Sequence, residues 1–319
     1  LLRIGAGCLV VLSLLDATFA QEVHPFPPEL VRWTPDPAAS LFAGTQQDTW
    51  DRAIRERGWI LRDESGLYHL FYTGYNGQRD APKALGHATS TDGLHWTRDP
   101  ANPLTRSGWV EDMTLVGPQG PDSTLPPGRW HLFAEGAGDL AHRLTSNDLE
   151  HWTDAGPLDI RSADGSPLSD GPRGTPVVLR DPQGQWALLY ERGDRGVWLA
   201  RSTDGLIWRN VQDDPVLTCG PSTYDSAAVA LNQVLPWPDG HYYALYHANA
   251  TRPWSDWTTC IARSRDLVHW EKYPGNPILR DNRSSAILVE GPEAGRWHLY
   301  TMHPEVHRYS NPPSPSPQR

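Results

Sequence analysis

Ser90-Thr91-Asp92-Gly93-Leu94-His95-Trp96 is a phrase that this chain writes four times. It returns as Ser146-Asn147-Asp148-Leu149-Glu150-His151-Trp152, as Ser202-Thr203-Asp204-Gly205-Leu206-Ile207-Trp208 and as Ser264-Arg265-Asp266-Leu267-Val268-His269-Trp270. The leading serines are 56, 56 and 62 residues apart. A period of that size, filled with strand-forming residues, is the mark of a propeller or a related repeat array.

Upstream of each phrase runs an aromatic, alternating segment, as in Tyr68-His69-Leu70-Phe71-Tyr72-Thr73 and Trp186-Ala187-Leu188-Leu189-Tyr190-Glu191. Five such segments occur, the fifth being Trp297-His298-Leu299-Tyr300-Thr301-Met302, so there are five repeats. Each repeat reads as four strands: an apolar one, the aromatic one, a short one ending at the serine, and one opened by the tryptophan. The spacing therefore predicts an all-β fold, a five-bladed β-propeller of four-stranded antiparallel blades. Innermost strands are expected to start near residues 58, 112, 175, 228 and 285. The last repeat lacks its outer strand. The segment from Trp33 to Leu41 resembles one, and residues 31–42 are expected to close the ring against blade five.

One propeller uses most of the 319 residues. Residues 1–20 read as a secretory signal, with Arg3 before an apolar run from Ile4 to Leu15 that is too short to span a bilayer. Residues 21–310 are then the propeller, and 311–319 a Pro- and Ser-rich disordered tail. The expected location is secreted or periplasmic, with no membrane span. A net charge of −10 disfavours nucleic acid and acidic membrane surfaces as partners. Cys219 and Cys260, the cysteines beyond the signal, have no metal-ligand spacing and read as free thiols. No residue set calls for a cofactor or a metal, although a structural Ca2+ on the axis is left open. The oligomeric state is not legible. Fifteen Trp exceed what the repeats use, and the remainder suit stacking on sugar rings.

In a blade the start of strand one and the end of strand two share a face, where the inner loops converge on the axis. The chain puts Asp48, Asp51, Arg52, Arg55 and Glu56 there in blade one, and Glu111 and Asp112 in blade two. Blade three offers Asp170 and Arg173, blade four Tyr224 and Asp225, and blade five Asp281. The ends of the second strands add Glu135, Glu191, His247 and, after Met302, His303. Crowded carboxyls raise one another's pKa, which sets a proton donor beside an ionised base. Acetal hydrolysis uses that pair. Asp51, Glu191, Asp112, Glu135, Asp225 and His303 are the candidate catalytic residues. Arg55, Glu111, Arg173 and His247 are the candidate substrate contacts. The aspartates of the repeated phrase lie at the other end of the strands and read as turn caps.

The phrases STDGLHWTRDPANPL and SRDLVHWEKYPGNPIL, with second strands such as YHLFYTG, resemble the five-bladed β-propeller glycosidases of glycoside hydrolase families 32, 43 and 117. The resemblance covers residues 30 to 309. It implies a secreted glycoside hydrolase acting on a poly- or oligosaccharide, with a first acid in blade one as base or nucleophile. Asp51 matches that place by location. The blade-four Glu of families 32 and 43 has no counterpart, so the proton donor falls among Glu191, Glu135 and Glu111, or among His247 and His303 if it is a histidine as in family 117. A glycoside phosphorylase and a non-catalytic carbohydrate-binding propeller are the alternatives.

Overall fold

The computed structural model describes residues 25–105, 108–119, 125–168, 171–251, 255–293 and 295–311. The signal-like segment, the residues after 311 and Asp170 lie outside them. Five antiparallel sheets follow one another along the chain. Their innermost strands are Ala53–Arg62, Glu111–Val116, Gly174–Arg180, Ala228–Pro236 and Ile287–Glu290. The second strands are Tyr68–Tyr75, Trp130–Gly136, Trp186–Glu191, Tyr242–Asn249 and Trp297–Thr301. All five third strands end on a serine, at Ser90, Ser146, Ser202, Ser264 and Ser310.

The ring closes as the repeat requires. Thr34–Pro35 pairs antiparallel with His307–Ser310 as the outer strand of blade five, and Phe42 bridges to Val306. Arg308 fastens this seam by donating to the Asp36 carboxylate at 2.9 Å. Blade three departs from the four-stranded pattern. Asp159–Arg161 adds in parallel to its outer strand Ile207–Asn210, and Leu217–Thr218 pairs with the third strand.

The repeated phrase is the turn between strands three and four. In each copy the Asp carboxylate accepts the backbone N–H groups two and three residues on, as for Asp92 with Leu94 and His95 at 2.8 and 2.9 Å. The serine hydroxyl accepts two more N–H groups of the same turn. A short acceptor at that point satisfies donors that the tight turn leaves without strand partners. Between the blades lie apolar layers, such as Phe133, Tyr190, Trp186 and Trp208 around blade three.

Inner strands of four blades carry a β-bulge near the funnel end. The register shifts between Arg55 and Trp59, Glu111 and Thr114, Gly174 and Val177, and Leu231 and Gln233. The first three bulges hold Glu56, Asp112 and Thr175 at φ of 55°, 47° and 47°, a left-handed conformation that non-glycine residues seldom adopt. Bulges re-aim side chains. Here they turn these three toward the axis. The first inner strand consequently begins at Ala53, five residues before the expected start.

Candidate active site

A cavity of about 720 Å3 opens at the funnel end of the blades. Glu56, Glu111, Asp112, Glu135, Asp139, Glu191 and Asp194 line it, together with Arg55, Arg79, His247, Trp109 and Trp257. Seven carboxyl groups thus face two arginines across one space.

Blade one supplies Arg55 and Glu56. The Arg55 guanidinium donates to Glu56 at 2.9 Å and pairs with Glu111 at 2.7 Å. Burial opposes ionisation of Glu56, but His303, Arg55 and His247 outweigh it and hold this carboxyl below its ordinary range. His303 stands 3.8 Å from it. Blade two supplies Glu111, whose other oxygen accepts the Trp109 indole N–H at 2.6 Å. Burial pushes Glu111 up to about 8 against the opposing charge of Arg55. Asp112 is raised to about 7, by burial first and by Glu56 next.

Glu135 and Glu191 form the other side. Gly174, opposite Glu191 in the register, is what lets them meet. A methyl group built on Gly174 would lie 2.1 Å from Glu135 Oε2 and 2.7 Å from Glu191 Oε1, so both carboxyls crowd the space that a side chain would fill. The Thr175 N–H donates to Glu135 at 2.9 Å, and the Asp194 N–H donates to Glu191. Burial raises Glu191 to about 8, with Asp194 adding to it. Glu135 is raised well above the usual range by burial and by the charges of Asp112 and Glu191. His247 is pushed down to about 4 by burial, and its Nδ1 lies 2.7 Å from Asn232 Oδ1.

Of the residues expected from the sequence, Asp112, Glu135, Glu191, Glu111, Arg55 and His247 line this cavity. His303 borders it through Glu56. The expectation of a single funnel is corrected for three residues. Asp51 is buried outside the lining, where its carboxylate accepts Thr49 Oγ1 at 3.0 Å, Tyr72 OH at 3.2 Å and Arg98 Nε at 2.8 Å. Asp225 is likewise outside, paired with Lys272 of the fourth strand of its own blade. Both acids are held by partners of their own blade, Asp51 by Arg98, Tyr72 and Thr49 and Asp225 by Lys272, which keeps their carboxylates out of the cavity wall. Arg173 donates to the Leu168 carbonyl at 2.7 Å and ties the connection between blades two and three. Sequence reasoning passed over Asp139, Asp194 and Arg79, and the two tryptophans. Gly138-Asp139 and Gly193-Asp194 are turn signals directly after the second strands, which could have placed both aspartates on this face.

Trp257 meets His247 edge to face at 4.9 Å, and the Lys83 ammonium sits 4.0 Å over the Trp109 ring. Both indoles remain partly exposed in the cavity wall. Among the described residues no group of three or more His, Cys, Asp or Glu is arranged to hold a metal ion.

The chain matches no protein-family profile and no curated protein sequence. Many solved structures share its fold. A glycosyl hydrolase from Bacteroides ovatus is 16% identical with a TM-score of 0.68, covering 91% of this chain and 97% of that one. A structure from the GH130 family of mannoside phosphorylases, described as containing glycoside hydrolases that target β-1,2 mannosidic linkages in Candida mannan, is 16% identical with a TM-score of 0.64 over 89% and 98% of the two chains. An α-L-arabinofuranosidase from Podospora anserina, in complex with cellotriose, is 14% identical with a TM-score of 0.62 over 89% and 97%. The chain therefore has the five-bladed propeller fold of these carbohydrate-active proteins.

Proposed function

We propose that the protein hydrolyses glycosidic bonds in an uncharged oligo- or polysaccharide. The observation that supports this reading is the contrast within one cavity: Glu56 is held ionised while Glu191 is held protonated to about 8. Glu191 is the proton donor to the leaving oxygen. Its proton passes to that oxygen as the glycosidic C–O bond breaks. Glu56 is the carboxylate that either takes a proton from the attacking water or attacks the anomeric carbon itself. Asp112 feels both sides, since Glu56 raises it and it raises Glu135 and Glu191. It adjusts how readily each gains or gives a proton. Trp109 and Trp257 offer stacking faces to sugar rings. The signal-like residues 1–20 support an extracellular or periplasmic substrate.

Hydrolysis is favoured over phosphorolysis by the charge of the site. Of the two arginines in the wall, Arg55 already serves Glu56 and Glu111, which leaves Arg79 alone to meet a phosphate dianion beside the ionised Glu56. The same balance argues for a neutral sugar over a uronic or sulfated one.

The test is a screen of the purified protein on neutral oligosaccharides, mannosides and arabinofuranosides included, with reducing ends counted with and without orthophosphate. Release independent of phosphate is the expected result. Phosphate-dependent release would make it a phosphorylase. Calorimetric binding without any product would make it a sugar-binding propeller. In a positive screen, Glu191→Gln should be slow on natural glycosides and recover on aryl glycosides whose leaving group needs no proton. Equal slowness on both would move the acid elsewhere.

A further inference from the structure

Arg57 carries a role that the reaction scheme leaves unused. It follows Glu56 in the first bulge, and its side chain is fully buried. From blade one its guanidinium donates to the Asp112 carbonyl of blade two, to the Pro176 carbonyl of blade three at 2.9 Å, and to the Leu231 and Asn232 carbonyls of blade four. Inner strands of four of the five blades therefore meet at one side chain. Its backbone N–H points at Asp112 Oδ1, 3.4 Å away. Neighbouring bridges continue the pattern without charge: Thr114 Oγ1 donates to the Pro176 carbonyl at 2.8 Å, and Gln233 binds both the N–H and the carbonyl of Leu288.

Carbonyl oxygens converging on a propeller axis make a cation site. Here the guanidinium fills it. Burial lowers Arg57 to about 10, which still leaves it charged at neutral pH. A planar fork of donors suits several carbonyls around it better than a point charge does.

We propose that Arg57 is the protein's built-in axial cation, which locks four blades together beneath the active site and positions Asp112, so that the axis takes no metal ion. Asp112, Glu135 and His247 are the titratable groups that face it. Arg57 touches none of the space a substrate would occupy and is a positioning residue. Its positive charge favours the ionised form of Asp112, and its bonds fix the bulge from which Asp112 and Glu56 project.

The test needs no turnover, so it is independent of the hydrolase reading. Thermal unfolding of the wild-type protein is followed with millimolar CaCl2 and with EDTA. A melting temperature unchanged to within about 1 °C in both is expected, because a ligand shifts stability only through a site it can enter. A rise of several degrees with Ca2+ would overturn the proposal. In Arg57→Ala the freed carbonyls should accept guanidinium, and low-millimolar guanidinium should raise that variant's melting temperature while leaving the wild type unchanged or slightly lower. No rise in a folded Arg57→Ala would overturn it. The charge effect is read by carboxyl 13C NMR, with the Asp112 signal assigned through Asp112→Asn. Removing a cation this close should move the Asp112 midpoint upward by about one pH unit or more. An unmoved midpoint would reduce Arg57 to packing. Should Arg57→Ala fail to fold, Arg57→Lys decides the matter: a midpoint within about half a unit of wild type supports the cation role, and a larger shift overturns it.

Discussion

The two ends of the blades hold the same functional group in opposite states. At the turn end, the Asp148 carboxylate accepts the N–H groups of Glu150 and His151 at 3.0 and 2.8 Å and the Ser146 hydroxyl at 3.1 Å. The His151 backbone and imidazole hold it well below the usual range. At the funnel end, Glu191 has one N–H donor, little water and acidic neighbours, and it is pushed up to about 8. Donor count and access to water separate the two, since the carboxyl itself is the same. Asp51 is a third case. It is as buried as Glu191, yet Arg98, Tyr72 and Thr49 surround it with donors. Burial alone therefore does not mark a chemical acid. Burial among other acids, as for Glu191 beside Asp194, does.

The comparison is broken most directly by exchanging consequences. Glu56→Gln and Glu191→Gln should each cost about 10²–10⁴-fold in kcat on a natural glycoside while the protein stays folded. Asp51→Asn should do the reverse. It loosens a buried ion pair with a half-exposed arginine, at a cost on the order of 1–3 kcal/mol, and should leave kcat within a few-fold of wild type. Denaturant melts beside steady-state rates check both. A dead but stable Asp51→Asn would return the base to blade one's earlier acid.

Gly174→Ala sharpens the comparison from inside the funnel. The added methyl falls on Glu135 and Glu191, so one of them must move. A displacement of about 1 Å at a catalytic group costs roughly 10²-fold. The expected sign is a fall in kcat with little change in the fold's circular dichroism.

pH gives two effects of known sign. A general acid must be protonated, so turnover should decline as pH rises through about 8, the value to which burial lifts Glu191. The same shift acts on stability. Its folded pKa lies above the ordinary 4.5, so between those values the folded state holds a proton that the unfolded state has lost. Stability contributed by Glu191 is therefore present below about pH 4.5 and lost as pH rises through 8. Glu191→Gln, which never ionises, should raise the melting temperature at pH 8 and leave it nearly unchanged at pH 4. A rise that is equal at both pH values would show that ionisation is not its cause.

The blades were legible because each repeats its turn chemistry. Ser-x-Asp turns and Trp-led outer strands fix strand ends at Ser90, Ser146, Ser202 and Ser264, and the same period identified Thr34–Pro35 as the closing strand. Acids at strand ends, such as Glu135 and Glu191, followed from alternation alone. The bulges did not. Inserting one residue reverses which face the following side chains take, and in Arg55-Glu56-Arg57-Gly58 only the lone glycine hints at it, without giving its position or its sense. Glu56 was therefore one name among several on that face, while Asp51 drew the role by location. Arg57 was unreadable for a related reason: its partners are backbone carbonyls of three other blades, which carry no side-chain signature.

The smallest effect belongs to the turn end, and its sign opposes that of the funnel. Asp92, Asp148 and Asp266 have folded pKa values below the ordinary 3.8, each held down by hydrogen bonds from its own turn. Such groups add stability above about pH 4, and that stability is lost as pH falls through the folded value. The aspartate side chains are about half exposed and their histidine partners largely so, and solvent and salt screen much of the interaction. Asp148→Asn keeps the short acceptor and removes only the charge. It should lower the melting temperature slightly at pH 7, by progressively less as pH falls below about 4, and leave turnover untouched, because the turn lies at the far end of the strands from Glu56 and Glu191. A measurable change in kcat for Asp148→Asn would mean that the two ends of the blade are coupled. The division between binding donors for structure and withholding them for chemistry would then fail.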